Sequence, residues 1–409
     1  MAAHSGPNIV NDGLIFHFDI NNSLKSWKGK PVENLAPSGG RTGSSSLPRQ
    51  SHHIETYNYF SNVEAYGRKD TIKVTISPTG NNATAPYADF GFAAYRSGGS
   101  QIGDVYWVSF DYINIKGGNN PNIGIVYANG YKNPTSANIG TFSDQTSTPL
   151  SDGWTRWSAK VTITEAGNTW WRFGQNSNQE EVEFYLDNFQ IIYSDVDAPF
   201  VDGTRSNTQA LVDISGQDNT ITVPNLTYNS DGTFDFNGSS NYATDTSFNI
   251  GTDPVCSVSL WIKRTGSFSS GGYWGFGGGS NNNGINGYCN PARANKIGWD
   301  LWGQTTFDTG VDYPLDEWVN VVWVKTSTGF TTSNLKIYIN GVDTPLSHTA
   351  RNNSSTVSLV SGITFGRISY NIGGYYAPGV IASANVYNRV LTAAEVKQNF
   401  EATRATYGI

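Results

Sequence analysis

A segment rich in glycine and asparagine, GGYWGFGGGSNNNGINGYCNPARANKIGWDLWG at 271–303, carries the residue types that bind sugars. The C–H face of a sugar ring stacks on tryptophan or tyrosine, while amide, carboxylate and guanidinium groups hydrogen-bond its hydroxyls. For each single ring the alternative is a core position, because aromatic residues in strands are often buried. The candidate carbohydrate-binding residues of this segment are Tyr273, Trp274, Tyr288, Arg293, Trp299 and Trp302.

A second aromatic candidate is the Trp170–Trp171 pair in NTWWRFGQNSN. Consecutive residues of a strand point to opposite faces, so one ring is expected in the core and the other on the surface. We take Trp170 as the surface ring and add it to the carbohydrate-binding candidates.

Catalytic chemistry finds less support in the sequence. The five histidines show no H-E-x-x-H or zinc-ligand spacing, no G-x-S-x-G motif occurs, and GFGGGSNNNG lacks the Lys-Ser/Thr of a phosphate-binding loop. That glycine-rich stretch is expected to be a flexible surface loop. Glycoside hydrolysis needs two carboxylates about 5–10 Å apart, and sequence alone does not pair them. We expect a non-catalytic protein, with a glycan-degrading enzyme as the alternative.

Composition indicates the fold that must position these side chains. Only 14% of the 409 residues are charged, against about 25% in an average globular protein, whereas 13% are aromatic and 45 are glycine. Aromatic and β-branched residues favour strands, and Asn, Gly, Ser and Asp favour tight turns. We predict an all-β fold of two antiparallel jelly-roll sandwiches followed by one C-terminal helix.

Net charge and hydropathy limit the classes of binding partner and the cellular location that the sequence predicts. The net charge is −7 without a long basic run, so nucleic acid is not an expected partner, and no apolar run is long enough to insert into a membrane. The N-terminal sequence shows no secretory signal pattern. With Cys256 in a strand and Cys289 in a loop, two free thiols are expected rather than a disulfide.

The C-terminal 200 residues carry a family resemblance. FDFNGSSNYAT, VSLWIKR, EWVNVVWV, LKIYINGV, ITFGR and VIASANVYNRVLTAAEV occur in the order typical of a laminin-G-like, concanavalin-type jelly roll. Locally, Asn340-Gly341 predicts a type I′ hairpin turn. Thr392 and Glu395 form the pattern of a capping box, so one helix follows with Val396 and Phe400 on its apolar face.

The middle region resembles a different jelly roll. VENLAP, YWVSFDYIN, DGWTRWSAKVTI and VEFYLDNFQII are similar to segments of carbohydrate-binding modules with a galactose-binding-like fold. The resemblance implies a structural Ca²⁺ at Asp187, assisted by a residue near Glu33. Oxygen ligands suit Ca²⁺. An aspartate that caps the edge of a strand is the alternative.

The junction between the two regions predicts a split domain. ALVDISGQDN at 210–219 resembles a motif that ordinarily follows soon after the first strand of the laminin-G-like fold, and GLIFHFD at 13–19 resembles that strand. We therefore predict an arm and first strand at 1–29, an inserted module at 30–199 and the remainder of the C-terminal jelly roll at 200–409. The alternative is that the first strand pairs with the middle region.

The junction also indicates a function. APFVDGTRS at 198–206 resembles a junction in bacteriophage virion proteins, where a binding-module jelly roll precedes a laminin-G-like one. The resemblance implies a virion location, as a head-decoration, fibre or tail-associated adhesin. It also implies homo-oligomers that contact other virion proteins and bind cell-surface polysaccharide. An exported bacterial carbohydrate-binding protein is the alternative.

Overall fold

The structure is a computed structural model. It describes residues 8–23, 25–36, 60–76, 87–93, 97–116, 122–128, 134–138, 140–167, 169–176, 182–201, 203–229, 234–268, 270–289, 293–352, 356–369 and 374–409. The described residues form antiparallel sheets and one α-helix near the C-terminus. The predicted all-β fold class is confirmed.

The chain divides into two compact units. One, here called the split unit, comprises Met1–Lys30, Asn207–Asn229 and Thr233–Ile409, and it contains the first strand, β1 (Leu14–Asp19). The other, the middle unit, comprises Pro31–Ser206. Its end lies a few residues beyond the predicted boundary at 199, because Thr204 and Arg205 pair with Glu33 and Val32 in a small two-stranded sheet.

The middle unit contains strands β2 to β13. Their bounds are β2 Val32–Glu33, β3 Phe60–Ala65, β4 Arg68–Ile76, β5 Tyr87–Ala93, β6 Val105–Lys116, β7 Asn122–Ala128, β8 Pro134–Asn138, β9 Gly140–Pro149, β10 Thr155–Ile163, β11 Thr169–Asn176, β12 Val182–Tyr193 and β13 Thr204–Arg205. A six-stranded sheet has the order β3-β4-β12-β6-β10-β9, and a four-stranded sheet has the order β5-β11-β7-β8.

The split unit contains β1 and all later elements. Their bounds are β14 Thr227–Tyr228, β15 Phe234–Asn237, β16 Ala243–Thr252, β17 Cys256–Arg264, β18 Gly271–Gly277, β19 Gly284–Cys289, β20 Lys296–Leu301, β21 Thr305–Asp312, β22 Trp318–Lys325, β23 Leu335–Ile339, β24 Val342–Asp343, β25 His348–Asn352, β26 Leu359–Phe365, β27 Pro378–Tyr387 and α1 Ala393–Thr403. A short 3₁₀ turn, Arg404–Tyr407, follows the helix.

Two sheets enclose the core of the split unit. The order in the eight-stranded sheet is β14-β15-β27-β17-β22-β23-β24, with β1 also paired to β27. The order in the seven-stranded sheet is β16-β26-β18-β19-β20-β21-β25. Aromatic rings join the two layers: Phe18 lies 5.0 Å from Phe365, and Trp274 lies 5.6 Å from Trp323, as centroid distances. This face-to-face packing leaves the opposite face of the seven-stranded sheet, its outer face, to carry other residues.

The first strand lies inside this core. β1 runs antiparallel to β27, with Phe18 opposite Ala384. Phe16 and Phe18 are completely buried, whereas the alternate residues Ile15, His17 and Asp19 are partly exposed. Because alternate residues of a strand share a face, β1 contributes a row of buried apolar side chains to the core of the split unit.

Two local sequence predictions are confirmed. Asn340 and Gly341 both have positive φ, as a type I′ turn between β23 and β24 requires. At the start of α1, Thr392 accepts a hydrogen bond from the Glu395 backbone, and the Glu395 carboxylate accepts one from the Thr392 backbone. Val396 and Phe400 are buried on one face of the helix, as predicted.

No helix in the described ranges is long and apolar enough to cross a membrane.

Cys256 is expected to resist alkylation in the folded protein. Its thiol is completely buried in β17, and burial raises its pKa to about 12, so little reactive thiolate forms. Mass spectrometry of the Cys256 peptide after treatment with a maleimide should show modification only when denaturant is present. Modification under native conditions would contradict this packing.

Candidate functional site

Trp302 is the tryptophan of the 271–303 segment that lies at the surface, partly exposed at the tip of the hairpin between β20 and β21. Its backbone is held on both sides: the Trp302 N–H donates to the Gly284 carbonyl, and the Asn282 N–H donates to the Trp302 carbonyl. Gly303 follows with φ of +75°, a left-handed conformation that favours glycine in a turn. The sequence therefore fixes this ring at the end of the outer face of the seven-stranded sheet.

Three neighbours complete a small aromatic cluster with Trp302. Its ring lies 5.0 Å from the ring of Tyr375, which is also partly exposed. Tyr375 in turn lies 6.3 Å from Tyr288, and Tyr288 packs with Ile368. Here this set, Tyr288, Trp302, Ile368 and Tyr375, is called the Trp302 cluster. It joins the β20–β21 hairpin to the segment that follows β26.

A buried polar row lies on the same outer face, beside the cluster. The Asp300 carboxylate accepts a hydrogen bond from the Thr306 hydroxyl at 2.8 Å and another from the Asn286 amide at 3.2 Å. The Asn286 carbonyl oxygen accepts the Ser369 hydroxyl at 2.7 Å and the Ser369 N–H at 3.1 Å. All four side chains are buried, so the row links three strands to the segment that carries Tyr375.

Burial governs the charge of Asp300. It raises the pKa of this carboxyl to about 6. The hydrogen bonds from Thr306 and Asn286 and the charge of Arg351 lower the pKa and offset part of that rise. A carboxyl with so strongly shifted a pKa in a polar network is a feature of functional sites.

The outer face also carries an ion pair. Arg293 donates to Asp308 through Nη2 at 2.9 Å and through Nε at 3.2 Å. The Arg293 side chain is 31% exposed, whereas that of Asp308 is 3% exposed. Arg293 therefore presents a planar donor group to solvent in a fixed orientation set by its partner, and its role in sugar binding stays a prediction.

Three of the predicted sugar-binding rings are core residues, and that part of the prediction is wrong. Tyr273, Trp274 and Trp299 are completely buried. Trp274 lies 5.7 Å from Trp299, and the Tyr273 hydroxyl donates to the Pro378 carbonyl. A ring enclosed in this way offers no face to a ligand. Tyr288 is 6% exposed, so it supports the Trp302 cluster from below instead of stacking directly on a sugar.

The error has a physical cause in the glycine-rich sequence. Only the middle of the stretch expected to be a loop, GFGGGSNNNG, is a turn; its two ends belong to strands β18 and β19, where glycines are needed because the backbones approach side chains. A Cβ at Gly287 would collide with the Trp274 ring, and one at Gly275 would collide with the Asn286 amide. These glycines are packing positions of a sheet, and only the short turn between the two strands is surface loop.

Trp170 stays a prediction, because its side chain lies outside the described residues.

The surroundings of Asp187 do not fit the predicted Ca²⁺. The Asp187 carboxylate accepts a hydrogen bond from Arg68 Nη1 at 3.1 Å, and Glu33 is an exposed residue of β2. Burial raises the pKa of Asp187, while bonds from Asn188 and Arg68 partly offset this. Within the described part of the chain, no group of three or more acidic, histidine or cysteine residues is arranged to hold a metal ion.

Sequence reasoning missed Asp300, Asn286, Ser369 and Tyr375. A usable signal existed for Asp300: in KIGWDL, Ile297, Trp299 and Leu301 alternate with Gly298 and Asp300. Applied to β20, that alternation would have placed Trp299 in the core and Asp300 on the outer face. Ser369 and Tyr375 contribute only through pairing with distant strands, which a single sequence does not reveal.

Comparison with known families supports this description of the split unit. Residues 236–397 match the model of the concanavalin A-like lectin/glucanases superfamily. The match spans β16 to β27 and the start of α1, and it confirms the concanavalin-type prediction for this part. It covers less than half of the chain. No curated protein matches the sequence.

Solved structures give more distant likenesses. Domain 4 of AbnA, a GH43 extracellular arabinanase from Geobacillus stearothermophilus in complex with arabinotriose, is 19% identical over 48% of this chain and 93% of that chain, with a TM-score of 0.33. Botulinum neurotoxin type C, whose cell entry depends on interaction with two ganglioside molecules, is 18% identical over 48% of this chain and 49% of that chain, with a TM-score of 0.34. This chain therefore spans about half of the neurotoxin chain, and likenesses at this level carry no inference about ligand.

Proposed function

We propose that this chain is a non-catalytic bacteriophage virion protein, a head-decoration, fibre or tail-associated adhesin, whose split unit binds glycans through the Trp302 cluster. The observation that carries the glycan part is the position of Trp302: a partly exposed ring, fixed by its backbone, at the end of a polar sheet face. Sugar binding needs this combination of an aromatic platform with fixed planar hydrogen-bonding groups. Arg293, held by Asp308 opposite Gly298 and away from the hairpin tip, is a separate group of this kind on the same outer face.

Two features support a binding role without catalysis. Asp300 is buried and accepts hydrogen bonds from Thr306 and Asn286. Asp308 is buried and paired with Arg293. Glycoside hydrolysis needs one carboxyl to donate a proton and a second to act as nucleophile or base, both against the substrate. These two carboxyls are engaged within the protein instead.

The virion part of the proposal is supported by the sequence of the junction, APFVDGTRS, and by the low-charge, aromatic-rich β composition. Parts of virions are symmetric assemblies, so we include a homo-oligomer in the proposal. Mass spectrometry of purified particles should detect the chain, and light scattering of the purified protein should give a multimer. Absence from particles would reject the virion role and leave the glycan-binding role to be judged by itself.

Replacing Trp302 with alanine is expected to weaken glycan binding at least tenfold, about 1.4 kcal/mol. A single aromatic side chain that becomes buried under the ligand often contributes most of the binding energy of such a surface. A glycan array identifies a bound sugar, and calorimetry with that sugar compares the variants. Trp302→Phe should retain part of the affinity because a flat ring remains.

Trp318→Ala is the matched control, since Trp318, in β22 of the eight-stranded sheet, is also partly exposed but packs on Tyr407 of the 3₁₀ turn. It should leave glycan affinity unchanged. Equal loss in Trp302→Ala and Trp318→Ala would reject the Trp302 cluster as the site. Release of reducing ends from a bound polysaccharide would reject the non-catalytic role.

A further inference from the structure

Arg68 joins three carboxylates of the middle unit. Its Nη1 atom lies 2.6 Å from Asp111 Oδ2 and 3.1 Å from Asp187 Oδ2. Its Nη2 atom lies 2.8 Å from Asp152 Oδ2. The Arg68 side chain is 15% exposed and lies over the Trp154 ring at 4.5 Å, so the guanidinium is held on its face as well as at its edge.

The sheet itself creates a need for a cation at this point. Asp111 of β6 and Asp187 of β12 are directly opposite each other in the register of neighbouring strands. Their side chains are only 3% and 14% exposed. Like charges opposite each other destabilise a strand pair, and burial increases the repulsion because solvent screens it less. A positive charge shared by both carboxylates removes that penalty.

We propose that the Arg68 guanidinium is the structural cation of the middle unit, in the role that the family resemblance assigns to Ca²⁺. One nitrogen, Nη1, contacts both opposed carboxylates, as a shared metal ion would. The same guanidinium extends to Asp152 in the loop between β9 and β10, so it cross-links β4, β6, β12 and this loop. A metal ion between Asp111 and Asp187 would have to displace Nη1, so the two cations exclude each other.

Both carboxylate oxygens of Asp111 accept hydrogen bonds from described neighbours. Its Oδ1 accepts Arg156 Nη1 at 3.1 Å, and its Oδ2 accepts Asn188 Nδ2 at 2.9 Å in addition to Arg68. Ca²⁺ takes six to eight oxygen ligands at about 2.3–2.6 Å. The native site instead satisfies these oxygens with N–H donors, so folding of the middle unit should not require the metal.

The test uses the full chain and measures amide hydrogen exchange in β6 and β12. In the wild type, exchange should be the same in about 5 mM EDTA and in about 10 mM CaCl₂, because Arg68 occupies the site. Arg68→Ala should exchange faster and should gain a response to calcium, because the Oδ2 atoms of Asp111, Asp152 and Asp187 then lose the cation they share, while Arg156 contacts Asp111 only through Oδ1. With a dissociation constant of about 1 mM, as in weak calcium sites, about 10 mM calcium should slow exchange roughly tenfold.

Three further variants complete the design. Arg156→Ala is the matched control: it removes a guanidinium from Asp111 but leaves Arg68 between the carboxylates, so no calcium response should appear. Adding Asp187→Asn to Arg68→Ala should abolish the calcium response by removing one ligand. If Arg68→Ala does not fold without calcium, folding upon addition of calcium supports the proposal, and Arg68→Lys, which keeps the charge, should fold without a calcium response.

The proposal is overturned if wild-type exchange accelerates in EDTA, which would make a metal the native cation. It is also overturned if Arg68→Ala exchanges like the wild type, or if it gains no protection from calcium while Arg68→Lys is as impaired as Arg68→Ala.

Discussion

Replacing Phe18 with alanine is expected to lower the free energy of unfolding of the split unit by about 3–5 kcal/mol, the usual range for a buried phenylalanine. Phe18 is completely buried, and its ring contacts Phe365 at 5.0 Å and Phe16 at 6.4 Å. Apart from Phe16, Ile20 and Trp27, the residues of that core begin at Ala210, nearly 200 positions later in the sequence. The loss should nevertheless appear in the strands of the split unit, because β1 is hydrogen-bonded to β27.

Hydrogen exchange resolves which unit is affected. Phe18→Ala should accelerate exchange in β17, β22 and β27 and leave β6 and β10 unchanged. Phe110→Ala is the matched control, because Phe110 is equally buried in β6 and stacks with Trp157 at 5.3 Å. It should give the reverse pattern. Faster exchange in β6 and β10 upon Phe18→Ala would contradict the assignment of β1 to the split unit.

The connection between the units is consistent with an insertion. Lys28 lies just before the middle unit in sequence, and Ala210 lies just after it. The Lys28 backbone N–H donates a hydrogen bond to the Ala210 carbonyl. Trp27 and Leu211 form an antiparallel bridge there. The two ends of the middle unit's sequence thus run side by side, the geometry in which a domain insertion leaves the host fold intact. That the middle unit is an insertion after β1 stays a prediction.

Local patterns allowed correct predictions where the interaction is local. The capping box needs only Thr392 and Glu395, three residues apart, and the hairpin turn needs only Asn340 and Gly341. Their chemistry acts within one turn of chain, so spacing alone determines it. The alternation of buried and partly exposed residues in β1 is likewise a local pattern, typical of a strand with one buried face.

The site residues could not be predicted in the same way because they depend on pairing between distant segments. The register between β18 and β19 shifts between Gly272 and Trp274, so Tyr273 and Trp274, though consecutive, both enter the core. Simple alternation would have placed one of them outside. Asp187 finds its partner Arg68 119 residues earlier in the sequence, a distance over which no spacing rule operates.

The second large effect concerns the pH dependence of stability, which comes from one buried group and one partly exposed group with opposite slopes. Burial raises the pKa of Asp300 from 3.8 to about 6, so the folded state binds this proton more strongly than the unfolded state. The split unit should therefore lose up to about 3 kcal/mol of stability as the pH rises from about 4 to about 6. Below pH 4 the carboxyl is protonated in both states, and the loss is absent.

His17 acts in the other direction. Burial lowers its pKa from 6.5 to about 4, with the Asp213 charge partly opposing the shift. The folded state binds this proton less strongly, so the split unit should gain stability as the pH rises from about 4 to about 6.5. His17 is partly exposed, so we expect about 2 kcal/mol from it. In the wild type the two slopes largely cancel.

Single substitutions should separate the two slopes. Asp300→Asn removes the loss of stability that accompanies ionisation of Asp300. The stability of the split unit in this variant should therefore increase from about pH 4 to 6.5, and at neutral pH it should exceed that of the wild type. His17→Gln removes the rising component, so stability should fall over the same interval. Urea unfolding of the full chain at several pH values measures both, and Asp316→Asn, at an exposed turn position, controls for the loss of a carboxylate.

A stability profile of Asp300→Asn that runs parallel to the wild type would show that Asp300 is not the group responsible. A divergence has a functional meaning, because it shows that the wild type retains a carboxylate that destabilises it at neutral pH. The hydrogen bonds of Asp300 lead through Asn286 to Ser369, in the segment that carries Tyr375 of the Trp302 cluster. If Asp300→Asn is more stable but binds glycan more weakly, the stability that the wild type loses through Asp300 is linked to the shape of the Trp302 cluster. This result is expected when a site is organised for recognition rather than for stability.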